Sequence, residues 1–226
     1  MSTSMGSAQE ETASKSFTNN SSVQMVRMLN DNPFLLPSKL TLLAPDFAKI
    51  KHEHYLPAFE AGMQQQLDQS EQIASSTDAP TFENTLVAME KSGEILERVQ
   101  SVFFNMATAN TDETIQSIEE KLAPRLASHS DDIYLNKKLF ARVESLWQQR
   151  TQQTWSEEQQ RLLKEYYENF VRAGARLNDQ QQTRVRAINE ELSSSTTQFQ
   201  QNLLAITKER GVLVNHVPAS APSRDM

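Results

Sequence analysis

Apolar residues recur at steps of three and four along most of the chain, the spacing of helices with one buried face. The clearest run spans about 82 to 109, where Phe82, Leu86, Met89, Gly93, Leu96, Phe103 and Met106 form a seam widened by Val87, Ile95, Val99 and Val102. A helix apolar over so much of its circumference is expected to be central, with neighbours on two sides. Gly93 costs such a helix roughly 1 kcal/mol relative to Ala, which a closely approaching backbone offsets. Before it, Pro57 stands near the first turn of a helix carrying Phe59, Met63, Leu67 and Ile73, ended by a loop through Ser75, Ser76, Thr77, Asp78 and Pro80. After it, Thr111 is the expected cap of a helix with the stripe Ile115, Ile118, Leu122 and Leu126. Asp112 and Glu113 suit its positive end. An interior proline costs about 3 kcal/mol or kinks a helix, so Pro124 predicts a bend or an end near Ala123.

Asn136 caps a short helix with Leu139, Phe140, Val143, Leu146 and Trp147 inward. Ser156 starts the next, with Gln159 in capping-box spacing and Leu162, Leu163, Tyr166, Tyr167, Phe170 and Val171 buried. The last helix, about 179 to 209, presents Val185, Ile188, Leu192, Phe199, Leu203 and Ile206, and stops at Gly211. Upstream, Pro33, Pro37 and Pro45 punctuate an extended lead-in whose Phe34, Leu35, Leu36, Leu40, Leu42 and Leu43 strap across the helices. No fixed repeat period emerges. The expectation is an all-α antiparallel helical array over residues 32–211, with a disordered tail at 1–31 too polar to offset the entropy of ordering and a divergent tail at 212–226, where Val212, Leu213 and Val214 look like a strand start without a partner ahead of a disordered end.

Composition narrows the function classes. With 22 basic against 29 acidic residues the 226-residue chain carries −7, and a pI of about 5.2 argues against a nucleic-acid partner. Mean hydropathy is −0.59 and no apolar run nears the ~20 residues of a spanning helix, so no membrane partner is expected. The absence of cysteine excludes disulfides and thiolate nucleophiles and fits the cytoplasm.

The search for chemistry starts with the four histidines, His52, His54, His129 and His216. A helix-borne zinc site places two imidazoles at i and i+4; His52-Glu53-His54 puts them two apart, about 200° around a helix, and fails. The acidic neighbours Glu119 and Glu120, Asp131 and Asp132, Glu157 and Glu158, and Glu190 and Glu191 diverge in the same way and lack the facing geometry of a general acid and base. Phosphate-cradling glycine runs and a nucleophile elbow are missing. The basic group Arg172, Arg176, Arg184 and Arg186, and the aromatic group Tyr166, Tyr167 and Phe170, read more readily as solvated surface and as core than as ligand sites.

Several fragments, in order, resemble the N-terminal part of the thimet oligopeptidase family of zinc metallopeptidases, most of all its peptidyl-dipeptidase branch. They are Asn32-Pro33-Phe34, Ala44-Pro45-Asp46-Phe47, His54-Tyr55-Leu56-Pro57-Ala58-Phe59, Phe82-Glu83-Asn84-Thr85, Ser92-Gly93-Glu94-Ile95-Leu96 and Val102-Phe103-Phe104. Further on come Asp132-Ile133-Tyr134-Leu135-Asn136, Leu139-Phe140-Ala141-Arg142-Val143 and Phe170-Val171-Arg172-Ala173-Gly174-Ala175. The resemblance covers about 32 to 214. It implies a helical, two-lobed peptidase that admits short peptides, releases dipeptides from the C-terminus and holds zinc on an H-E-x-x-H helix with a downstream Glu.

Those zinc-holding residues belong to the later part of the family pattern, so no catalytic, cofactor-binding or metal residue carries over and no zinc is expected on this chain. The departure after Asn215, through His216, Val217 and Pro218 to Met226, is what a truncated or frameshifted reading frame would produce. The expectation is an N-terminal helical portion, inactive alone. The alternatives are a standalone helical interaction module, or one half of a split enzyme whose catalytic lobe comes from another chain.

Overall fold

The computed structural model describes residues 31–210, and those residues are helical with no strand among them. Six helices follow one another: α1 (His52–Ser75), α2 (Glu94–Ala109), α3 (Glu113–Tyr134), α4 (Lys137–Gln149), α5 (Glu157–Ala173) and α6 (Asp179–Glu209). A π-helical turn, Phe82–Val87, running into an α turn, Ala88–Glu90, stands between α1 and α2. The expected tails at 1–31 and 212–226 fall, apart from Asp31, outside the described residues, as does the stop at Gly211.

Capping side chains set most of the helix starts. Asn136 accepts from the amides of Lys138 and Leu139, and Ser156 and Gln159 form the reciprocal box their spacing predicts. Asn178 and Gln181 form a second such box at the start of α6. The cap of α3 is Asp112 rather than Thr111; its carboxylate accepts from the Ile115 amide at 2.8 Å. Gly174, in the left-handed region at φ 108°, ends α5.

Two prolines sit deeper in helices than expected. Pro57 is in the second turn of α1, and α3 continues through Pro124 to Tyr134. Ile118 and Leu122 before it and Ile133 after it are buried, so tertiary packing holds α3 together across the bond that Pro124 removes.

Residues 82–109 are not one helix. Gly93 turns into the left-handed region at φ 79°, and its amide donates to Gln69 Oε1 at 2.8 Å, so the segment breaks there and restarts at Glu94. The close backbone approach expected at Gly93 occurs at Gly62 of α1: a Cβ there would stand 2.7 Å from the Leu96 amide nitrogen. Nor is α2 the centre. Helices α1 and α3 have the most helical neighbours, with α2, α4, α5 and α6 arranged around them.

Two hydrophobic clusters are strung along this pair. One gathers Phe34, Tyr55, Phe59, Met63, Leu96, Val99, Phe103, Ile115, Ile118 and Leu122; the other gathers Ile73, Phe82, Leu86, Ile133, Leu139, Phe140, Val143, Leu163 and Phe170. Both α1 and α3 run from the first cluster to the second. Helix α6 then returns antiparallel along α3, since Arg186 bonds Asp132 while Gln201 bonds the Gln116 carbonyl. The lead-in docks by its two ends, its first residues and Ile50, which packs on the first cluster. Phe34 is buried against Tyr55, Asn32 donates to the His54 carbonyl at 2.8 Å, and Arg98 donates to the Phe34 carbonyl at 2.5 Å.

Candidate functional site

The histidines are dispersed. His52 and His54 occupy the first turn of α1 and do separate work: His52 Nε2 lies 3.2 Å from Asp112, while His54 Nδ1 accepts from the Lys51 amide at 3.1 Å. His129 is buried in α3, and His216 lies outside the described residues. Among the described residues no three His, Asp or Glu side chains converge as a metal would require. The acidic neighbours Asp131 and Asp132 split as their helical positions demand. Asp131 is buried and accepts from Asn189 at 2.7 Å, whereas Asp132 pairs with Arg186 at the surface.

The basic group does not converge either. Arg172 pairs with Glu168 on its own helix, Arg176 with Glu144 and the Tyr167 hydroxyl, and Arg186 with Asp132. The aromatic group is core: Phe170 is fully buried against Tyr134 and Phe140, and Tyr167 stacks on Trp147 at 4.5 Å. Tyr166 donates its hydroxyl proton to Glu90, and burial together with that carboxylate pushes its ionisation far above the usual phenol range.

A polar belt separates the two clusters. Gln65 and Gln69 of α1 accept the Ile95 and Gly93 amides, and Gln66 Oε1 lies 2.7 Å from His129 Nε2. That bond places the proton on Nε2, which leaves Nδ1 a buried acceptor with no partner among the described residues. A pocket of about 190 Å³ opens beside it between α1, α2, α3 and α5. Burial lowers the His129 pKa, and the nearby Asp132 carboxylate only partly opposes this. Arg142 is a second buried polar device. It donates to the carbonyls of Ser76 and Asp78 and to Asn84 Oδ1 at about 3 Å each, clamping the α1 exit loop to α4.

The most unusual surface belongs to α6. Its inward side is mostly polar: Gln182 and Thr197 are the buried residues, Arg186, Asn189 and Gln201 bond to α3, and Val185 and Leu204 are half-buried. The periodic stripe points outward instead, with Leu192 61% exposed, Phe199 67% and Leu203 53%, and Ile188 and Ile206 similarly uncovered. Beside the stripe, Phe104, Ala123, Leu126, Leu192 and Thr196 line a groove of about 490 Å³ between α6 and the α2–α3 pair. A second uncovered apolar area follows the docked start of the lead-in. Leu36, Leu40, Leu43 and Phe47 are exposed there, and Leu42 is 96% exposed in a left-handed backbone at φ 58°.

No helix among the described residues is long and apolar enough to cross a membrane. No family model matches the chain. Over 190 residues, 84% of this chain and 28% of the relative, it is 43% identical to dipeptidyl carboxypeptidase of Escherichia coli strain K12. Over 187 residues, 83% and 28%, it is 42% identical to dipeptidyl carboxypeptidase of Salmonella typhimurium. Oligopeptidase A of Escherichia coli is 23% identical over 176 residues, 78% of this chain and 25% of that protein. The chain spans less than a third of the length of these relatives.

Proposed function

We propose that this chain, a homologue of part of the dipeptidyl carboxypeptidases, is the helical N-terminal portion of a peptidyl-dipeptidase-like enzyme and contributes shape rather than hydrolytic groups. The observation that carries the reading is identity at 43% along nearly the whole chain to a protein of which it spans 28%. The whole enzyme would act on short peptides, releasing dipeptides from their C-terminus, in the cytoplasm. The portion concerned is residues 32–211.

The residues described here do not fit zinc. His52 and His54 diverge at the start of α1, and among the described residues His129 belongs to no group of three His, Asp or Glu side chains that could complete a donor set. Zinc therefore belongs, in this reading, to the remaining length of the enzyme, and no step of hydrolysis is assigned to this chain. The uncovered face of α6 supports the same division, because an apolar stripe of this length is ordinarily buried against a further layer.

The test is peptide hydrolysis in two preparations. The purified 226-residue chain with zinc is expected to release no dipeptides above the background without protein. The Escherichia coli relative, with its matched region replaced by this chain, is expected to release them. Metal-dependent release by the chain alone, or an inactive chimaera, would overturn the reading.

A further inference from the structure

We propose that α6 is a shared middle layer, and that an amphipathic helix from the remaining part of the peptidase lies along its outer stripe. This rests on the proposed function, since the occupant is a segment of the length the chain lacks relative to its dipeptidyl carboxypeptidase relatives.

Three observations lead there. First, α6 is inverted relative to an ordinary surface helix. Its buried residues are Gln182 and Thr197, it is tied to α3 through Arg186, Asn189 and Gln201, and Leu192, Phe199 and Leu203 face away while Leu204 is half-buried. A helix whose mostly polar side meets its own domain and whose apolar side meets nothing among the described residues is arranged for a neighbour on each side.

Second, the stripe is helical in its dimensions. Ile188, Leu192, Phe199, Leu203 and Ile206 keep within a narrow sector at 100° per residue over about 27 Å, five turns, with Ser195 filling the gap in the spacing. The groove beside it, floored by Ala123 and Leu126 and walled by Phe104, provides a lateral slot for side chains of a parallel or antiparallel helix. Third, the relatives supply the occupant's source, because roughly seven-tenths of their length has no counterpart in this chain.

Charge inserted into the stripe separates this proposal from its alternatives. Leu192→Glu and Phe199→Glu, singly and together, are made in the isolated chain and in the chimaera with the Escherichia coli relative. Because both residues are exposed, the isolated chain is expected to keep its unfolding midpoint within about 1 °C. In the chimaera the same substitutions are expected to lower the midpoint by at least about 3 °C and to reduce dipeptide release, since a carboxylate would then be buried unpaired. Ser194→Glu, on the far side of α6, is the control and is expected to change neither.

A chimaera indifferent to the double substitution, yet active, overturns this proposal and leaves the proposed function standing. An isolated chain destabilised as much as the chimaera overturns it too, because the face would then already be covered. If the isolated chain is a dimer that the double substitution converts to monomer, the occupant is a second copy and the proposal fails. A chimaera with native α6 that neither folds nor cleaves peptides removes the proposed function and this inference together.

Discussion

At the scale of single residues, the polar side chains set inside the fold are the most exposed to test. Burial lowers the pKa of His129, whose Nε2 bonds Gln66. Its pKa is lower folded than unfolded, so the unfolded chain takes up the proton first, and folding stability should fall as pH drops below about 6.5. The stability slope between pH 7 and pH 5, followed by urea unfolding, should flatten in His129→Gln relative to the native chain. An equal slope in both would remove His129 as its source. Arg142 presents a different case, because the clamp uses both ends of the guanidinium fork. Arg142→Lys keeps the charge but cannot reach two carbonyls and Asn84 together, and is expected to destabilise by about 2 to 3 kcal/mol through orphaned buried groups. Equal stability of the two in denaturant would show that the loop is held by something else.

At the scale of elements, the α1–α2 crossing is closely packed. Gly62 leaves no space for a Cβ against the Leu96 backbone, and Leu96 is itself 4% exposed. Gly62→Ala must push the helices apart and is expected to cost about 1 to 3 kcal/mol as overpacking. Leu96→Ala is expected to cost about 2 to 5 kcal/mol as a cavity. Leu96→Ala should not rescue Gly62→Ala, because the atoms the new methyl meets are the amide nitrogen, Cα and Cβ of Leu96, all of which alanine keeps. A double-mutant cycle by thermal unfolding checks this, and recovery of the Gly62→Ala loss in the double variant would contradict the contact. Gly93 behaves otherwise. Its left-handed backbone, not a crossing helix, makes it glycine, and the break it introduces is what lets Gln69 and Gln65 cap the start of α2.

At the scale of the whole molecule, the two clusters are linked by α1 and α3, each of which contributes buried residues to both. Neither cluster can come apart without freeing helices the other uses, so one cooperative transition is expected. Both tryptophans, Trp147 and Trp155, pack on the cluster that contains Phe170. Their fluorescence should therefore change over the same denaturant range as the helical circular dichroism of the entire chain. Separate midpoints would mean that the polar belt of Gln65, Gln66, Gln69 and His129 divides two independently melting units.

Much of this was legible from local pattern. The spacing of apolar residues, the caps Asn136 and Ser156 and the paucity of glycine determined that the chain is helical and roughly where its helices begin, because helix formation and capping depend on neighbours within a turn. The split of 82–109 escaped the same reading. Gly93 preserves the phase of the seam on both sides of the break, and a period cannot register an interruption that keeps its phase.

The continuity of α3 through Pro124 was decided by buried contacts on either side of the proline, which outweigh a local penalty. The same holds for the surface that matters most here. The sequence determined by itself that α6 has an apolar stripe; only the tertiary structure decided that it faces outward, because which side of a helix is buried depends on what hydrogen-bonds to its other side. On α6 that is Arg186, Asn189 and Gln201 meeting partners on α3 that lie more than fifty residues away in the chain.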